Sequence, residues 1–285
     1  MDRRNFLKGL ALAGGAAVAP AFGSQTKEAP SDAVGMLYDS TRCIGCKACV
    51  TACREANGLP PSKTDGLHDV QAGLDATTKS VIKLWKDEKT SASAFMKQQC
   101  MHCVDPACVS VCMLGAMKKG PQGVVTYDKD LCIGCRYCQV ACPFDVPKFE
   151  WGSATPKIVK CELCPERRAQ GKQPACTEVC PREAVIYGRR EDLLKEAHRR
   201  IEAKPASYQP RVYGEEELGG TQMLYLSAVP FAKLGLPEKG KRSNASISQT
   251  LQHGIYQGFL APAVLYAGLA AVVVRNRKKS PEGES

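Results

Sequence analysis

Cys132-Ile133-Gly134-Cys135-Arg136-Tyr137-Cys138-Gln139-Val140-Ala141-Cys142-Pro143 decides how the rest of the chain is read. Three cysteines stand two residues apart, a fourth follows after three more, and a proline closes the run. Cys43-Ile44-Gly45-Cys46-Lys47-Ala48-Cys49-Val50-Thr51-Ala52-Cys53 repeats that spacing. Two looser quartets complete the set. One is Cys100, Cys103, Cys108 and Cys112; the other is Cys161, Cys164, Cys176 and Cys180, again followed by a proline, Pro181. All 16 cysteines of the chain fall into these four groups, between Cys43 and Cys180.

Cysteine at this density belongs to a disulfide scaffold or to a metal protein. Loops of the form C-x2-C-x2-C give poor geometry for separate bridges. Zinc sites use two C-x2-C pairs with a longer span between them, and have no use for a third cysteine two residues on and a fourth after three. Three cysteines on one irregular loop can instead take three iron corners of one [4Fe–4S] cube. Gly45 and Gly134 sit where backbone must approach sulfide. The fourth cysteine, carried onto the start of a helix, points to a second cube, as in two-cluster ferredoxins. Quartets therefore work in pairs, and spacing alone leaves open which pairs with which.

The net charge of +10 counts each cysteine as a neutral thiol. Cluster ligands are thiolates. Four clusters, each a dianion with its ligands, bring the sum to about +2. The basic side chains then balance clusters, and no basic run interleaved with aromatics points to nucleic acid.

The two ends read as addresses. Residues 1–23 join a basic start, Arg3-Arg4-Asn5-Phe6-Leu7-Lys8, to a mildly apolar stretch and an Ala19-Pro20-Ala21 cleavage site. This resembles a twin-arginine export signal, which carries folded proteins; Asp2 stands where that signal has Ser or Thr. Ile255–Val274 has no charge and reaches ~30 Å as a helix, one hydrocarbon core. Arg275, Arg277, Lys278 and Lys279 follow, which puts the C-terminus in the cytoplasm. Between the ends we expect a linker over 24–42, a cluster domain over 43–204, an irregular extension over 205–254 and a basic tail over 275–285. An amphipathic helix is expected at Glu191–Ala203 and a strand-like run at Met223–Val229.

Several runs carry a family resemblance: Met101-His102-Cys103-Val104-Asp105-Pro106, Tyr127-Asp128-Lys129-Asp130, Cys135-Arg136-Tyr137-Cys138, Ala141-Cys142-Pro143-Phe144-Asp145-Val146-Pro147-Lys148 and Lys160-Cys161-Glu162-Leu163-Cys164. With them the chain resembles the four-cluster electron-transfer subunits of respiratory oxidoreductases. The Gly219-Gly220-Thr221-Gln222 run, Val229-Pro230 and the C-terminal span make it similar to the membrane-anchored members that serve periplasmic [NiFe] hydrogenases. Met113 stands where the family usually has proline after the quartet.

The resemblance implies an α+β fold of two pseudo-symmetric bis-[4Fe–4S] ferredoxin-like modules with insertions, plus one C-terminal transmembrane helix. It also implies crossed ligand sets. Cluster 1 is held by Cys43, Cys46, Cys49 and Cys180, and cluster 2 by Cys100, Cys103, Cys108 and Cys142. Cluster 3 is held by Cys132, Cys135, Cys138 and Cys112, and cluster 4 by Cys161, Cys164, Cys176 and Cys53. The implied partners are the small and large [NiFe] hydrogenase subunits and a polytopic quinone-reactive membrane subunit, on the periplasmic side. A molybdopterin oxidoreductase or nitrite reductase system is the alternative. The chain is expected to be non-catalytic: His68, His198 and His253 lie in unrelated segments, and no nucleophile–base or carboxylate pair stands out. His102, inside a cluster loop, is expected to be a donor beside the ligands or a surface residue.

Overall fold

The structure is a computed structural model that describes residues 27–61, 73–90, 92–153, 156–245 and 260–277. It divides into two units, Thr26–Ala245 and a second formed by Met1–Gln25 with Ser246–Ser285.

In the first unit the strands are β1 (Val34–Asp39), β2 (Ser80–Lys86), β3 (Ser93–Gln99), β4 (Met117–Lys119), β5 (Val125–Tyr127), β6 (Lys148–Phe149), β7 (Ile158–Val159), β8 (Val185–Arg189) and β9 (Met223–Leu226). The helices are α1 (Ala48–Ala56), α2 (Ala107–Ser110), α3 (Tyr137–Ala141), α4 (Pro165–Ala169), α5 (Ala175–Glu178) and α6 (Arg190–Ala203). The second unit contributes α7 (Leu260–Arg277).

The organising element is β1. It lies between β8, which it pairs antiparallel, and β9, which it pairs parallel. All six of its residues are buried, as a strand covered on both faces requires. Successive side chains point to opposite faces. Leu37, Leu224 and Leu226 therefore meet Leu193 and Ala197 of α6, while Met36, Tyr38, Met223 and Tyr225 join the larger core among the cysteines. Burying Leu193 contributes about 2 kcal/mol to docking α6. Residues 34–39, expected as part of a linker, are thus the centre of the fold. The cluster domain also does not end at 204: residues 205–245 belong to the same unit, and β9 returns to β1. The Tyr213 hydroxyl donates to the Pro237 carbonyl at 2.8 Å, tying this segment to itself.

In the second unit, the uncharged part of α7, residues 260–274, spans about 22 Å at helical rise. That is short of a ~30 Å hydrocarbon core. Among the described residues no helix is long and apolar enough to cross a membrane. The first five residues of the expected span, 255–259, lie outside the described residues, as do the export signal, His68 and His253.

Candidate metal centres

Each quartet is built on the same backbone device. In the first, Gly45 and Lys47 take left-handed φ values of 70° and 58°; in the third, Gly134 and Arg136 take 70° and 66°. A side chain at Gly45 would run into the Phe95 ring, and one at Gly134 would come within 2.7 Å of Pro156. Glycine is therefore required there by space as well as by φ. His102 and Leu163 hold the equivalent place in the second and fourth quartets with φ of 45° and 61°. The fold aims backbone N–H groups at sulfur: Gly45 at Cys43 Sγ (3.5 Å), Gly134 at Cys132 Sγ (3.4 Å) and Leu163 at Cys161 Sγ (3.5 Å). Met117 N–H reaches Cys112 Sγ (3.4 Å) and Ala184 N–H reaches Cys180 Sγ (3.3 Å).

Helices divide the dense quartets differently from expectation. α1 begins before Cys49, so Cys49 sits in its first turn and Cys53 further along. In the third quartet Cys138 lies in α3 and Cys142 caps its C-terminus.

The sulfurs gather as four sets. Cys43 and Cys49 stand with Cys46 and Cys180. Cys161, Cys164 and Cys176 stand with Cys53. Cys103 and Cys108 stand with Cys100 and Cys142, and Cys138 stands with Cys132, Cys135 and Cys112. Two of the sets line recesses, mouths included, of about 360 Å³ (Cys43, Cys46, Cys49, Cys180) and about 410 Å³ (Cys112, Cys132, Cys135, Cys138). Among the described residues no three His, Cys, Asp or Glu side chains converge tightly enough for a single metal ion. The all-sulfur donor set suits [4Fe–4S] clusters.

Electrostatic coupling between thiols of different sets gives their order. Cys49 neighbours Cys176, joining set 1 to set 4. Cys161 neighbours Cys100, joining set 4 to set 2, and Cys108 neighbours Cys138, joining set 2 to set 3. The sets form one line, 1–4–2–3. Cys46 at one end and Cys135 at the other are the exposed cysteines. Ile44 is exposed beside the first, and Met113, Ile133 and Tyr137 beside the second.

Burial dominates the local electrostatics. It pushes the Cys49 and Cys142 thiols up to about 11, and the Cys138 and Cys176 thiols up to about 12, with neighbouring thiols adding to the rise. Such sites hold thiolates only when iron charge replaces the proton. Buried polar groups surround them. His102 is 1% exposed, which excludes a surface role. Its Nδ1 accepts the Val125 N–H at 3.0 Å, and its Nε2 has no partner. Lys119 Nζ donates to the Cys103 carbonyl (2.6 Å) and to Gln222 Oε1 (3.1 Å). Lys160 Nζ donates to the carbonyls of Val125 (2.7 Å) and Cys161 (3.2 Å). Gln222 N–H donates to the Met101 carbonyl at 3.2 Å, and the Gln222 carbonyl accepts the Met36 N–H at 3.0 Å, linking the second quartet's loop to β1. His198, by contrast, only meets Glu215 (3.2 Å) at the surface.

A 4Fe-4S dicluster domain matches residues 91–190. The hydrogenase-2 operon protein HybA of Escherichia coli O157:H7 is 41% identical over 317 aligned positions, which cover 98% of this chain and 96% of that one. The chain belongs to the HybA family. More distant likeness extends to the iron–sulfur subunit of the nitrate-inducible formate dehydrogenase of Escherichia coli K12, 33% identical over 80% of this chain and 78% of that subunit. It extends also to the formate dehydrogenase iron–sulfur subunit of Haemophilus influenzae, 31% identical over 84% of this chain and 78% of that one. A HybA-type chain is an iron–sulfur electron-transfer protein.

Proposed function

We propose that this chain conducts electrons through four [4Fe–4S] clusters, one in each sulfur set, between a periplasmic [NiFe] hydrogenase and a quinone-reactive membrane subunit. The observation that carries the reading is the full-length likeness to a hydrogenase-2 operon protein. The formate dehydrogenase subunits match less closely and over less of the chain, so hydrogenase service is favoured over molybdenum-enzyme service. Each bound cluster supplies a one-electron store. The chain's own residues do the rest. Sixteen thiolates hold the clusters in a line, and backbone N–H groups donate to their sulfurs, which sets potentials. The buried core of Met36, Met96, Leu163 and Met223 keeps water out. Exposed apolar residues at Ile44 and at Met113 and Ile133 give the two ends of the line surfaces fit to meet partner subunits.

The chain acts without a catalytic residue of its own, with chemistry left to the partners. Export by the twin-arginine route places the first unit on the periplasmic side. Residues 255–274 anchor it as a single span, with the tail 275–285 in the cytoplasm. Small residues Gly258, Ala261, Gly268 and Ala271 allow close approach to a partner helix. The test compares hydrogen-dependent quinone reduction with hydrogen-dependent dye reduction, in membranes carrying either the full chain or one truncated before Ile255. We expect the truncated chain to keep dye reduction and to lose quinone reduction. Equal loss of both, loss of neither, or formate as the required donor would overturn the reading.

A further inference from the structure

Inside the line of sulfur sets lies a lysine that no hydrogen bond explains. Lys97 stands in β3 opposite Ile82 of β2, three residues before Cys100, with no exposed surface. Its carbonyl accepts the Tyr225 hydroxyl at 2.9 Å, but its Nζ has no hydrogen-bond partner. The thiols that face it come from two sets: Cys49 from set 1, and Cys53, Cys161 and Cys176 from set 4. Lys119 and Lys160 differ, because both are held by carbonyl oxygens. An ammonium removed from water and left unpaired is too costly to persist unless an anion compensates it. A [4Fe–4S] cluster with four thiolates is such an anion: a dianion when oxidised and a trianion when reduced.

We propose that the Lys97 ammonium, held where clusters 1 and 4 adjoin, raises the reduction potentials of both and offsets part of the cost of having both reduced. A fixed positive charge in a low-dielectric interior stabilises each added electron. Because one charge serves two neighbours, both potentials move together and the step between them is left nearly unchanged. Lys97 is in this sense a positioning residue for electrons. The inference rests on the ligand sets proposed above.

The test is Lys97→Met in the full chain, purified without oxygen, with Lys97→Arg as the charge-keeping control. Iron and sulfide content is measured first, and each cluster is then titrated against potential by EPR, with signals assigned through Cys→Ser variants of each set. In Lys97→Met we expect full iron and a roughly tenfold fall in the reduced-to-oxidised ratio of clusters 1 and 4 at fixed potential, about 59 mV for one electron. Clusters 2 and 3 stay in place, and Lys97→Arg follows the parent. Iron lost from Lys97→Met but kept by Lys97→Arg also supports the inference, since charge is then what the site needs. Unchanged potentials, equal shifts in all four clusters, or equal iron loss from both variants would overturn it. Iron content of the parent reports separately on the ligand sets: fewer than four clusters there would sink those sets, and the inference with them.

Discussion

Arg200→Met should loosen the end of the molecule that carries cluster 1. The Asp39 carboxylate is completely buried at the end of β1 and faces Arg200 Nη1 of α6 at 3.1 Å. It also accepts from the Thr41 N–H (3.0 Å), the Thr41 hydroxyl (2.6 Å) and the Tyr208 hydroxyl (2.9 Å). The same residue's N–H donates to Ala184, whose own N–H donates to Cys180 Sγ. The pair therefore steadies both the loop of Cys43 and the turn of Cys180. Removing one partner of a buried pair costs about 3–5 kcal/mol. Three donors to Asp39 survive the substitution, which puts the expected loss near the lower figure. At ~1.4 kcal/mol per factor of ten, a loss of ~3 kcal/mol raises the open population roughly a hundredfold. The assay is the rate of iron capture by a chelator under argon at fixed temperature, with circular dichroism confirming the fold at the start. The double variant Asp39→Asn/Arg200→Met removes both charges and should regain most of the loss. A single variant that releases iron within threefold of the parent rate, or a double variant as fast as the single one, would refute the reasoning.

Cys53→Ala is expected to cost the cluster held by Cys161, Cys164 and Cys176 while sparing the one held by Cys43, Cys46 and Cys49; EPR that shows the reverse loss would contradict the crossed sets. The parent should contain about sixteen iron and sixteen sulfide per chain, four per cluster, and a content near eight or stoichiometric zinc would count against four clusters. Replacing Arg3-Arg4 by Lys-Lys should leave the chain in the cytoplasm with its iron intact, and normal export of that variant would remove the twin-arginine assignment.

The cysteine quartets were legible because their spacing is local. C-x2-C-x2-C constrains one loop whatever the rest of the chain does. The pairing of quartets was not legible from spacing, because it depends on where β1, β8 and β9 bring distant segments together. β1 itself was missed. Val34-Gly35-Met36-Leu37-Tyr38-Asp39 shows no clean apolar–polar alternation, since both of its faces are covered, and it follows an export signal, where a linker is the natural reading. Lys97 was missed because Met96-Lys97-Gln98-Gln99 looks like a polar strand edge. Only the fold shows that Nζ is enclosed among sulfurs. Gln222 was noticed within a distinctive run, but its reach to Met101 and Lys119 needed the structure.

The proposed crossed sets and the place of β1 also impose a timetable. In those sets clusters 2 and 3 need nothing beyond Cys142, so their cysteines are complete once the ribosome has passed that residue. Clusters 1 and 4 wait for Cys176 and Cys180, although Cys43 was made long before. β1 waits longest, because its parallel partner ends at Leu226. At ~5–20 residues per second, the interval between synthesis of β1 and arrival of β9 is about 10–40 s. Both edges of β1 stay unpaired until β8 is made, and one stays open until β9 arrives, a condition that invites association with other chains. The molecule is therefore built from its middle outward, and the end that carries Cys46 is finished last.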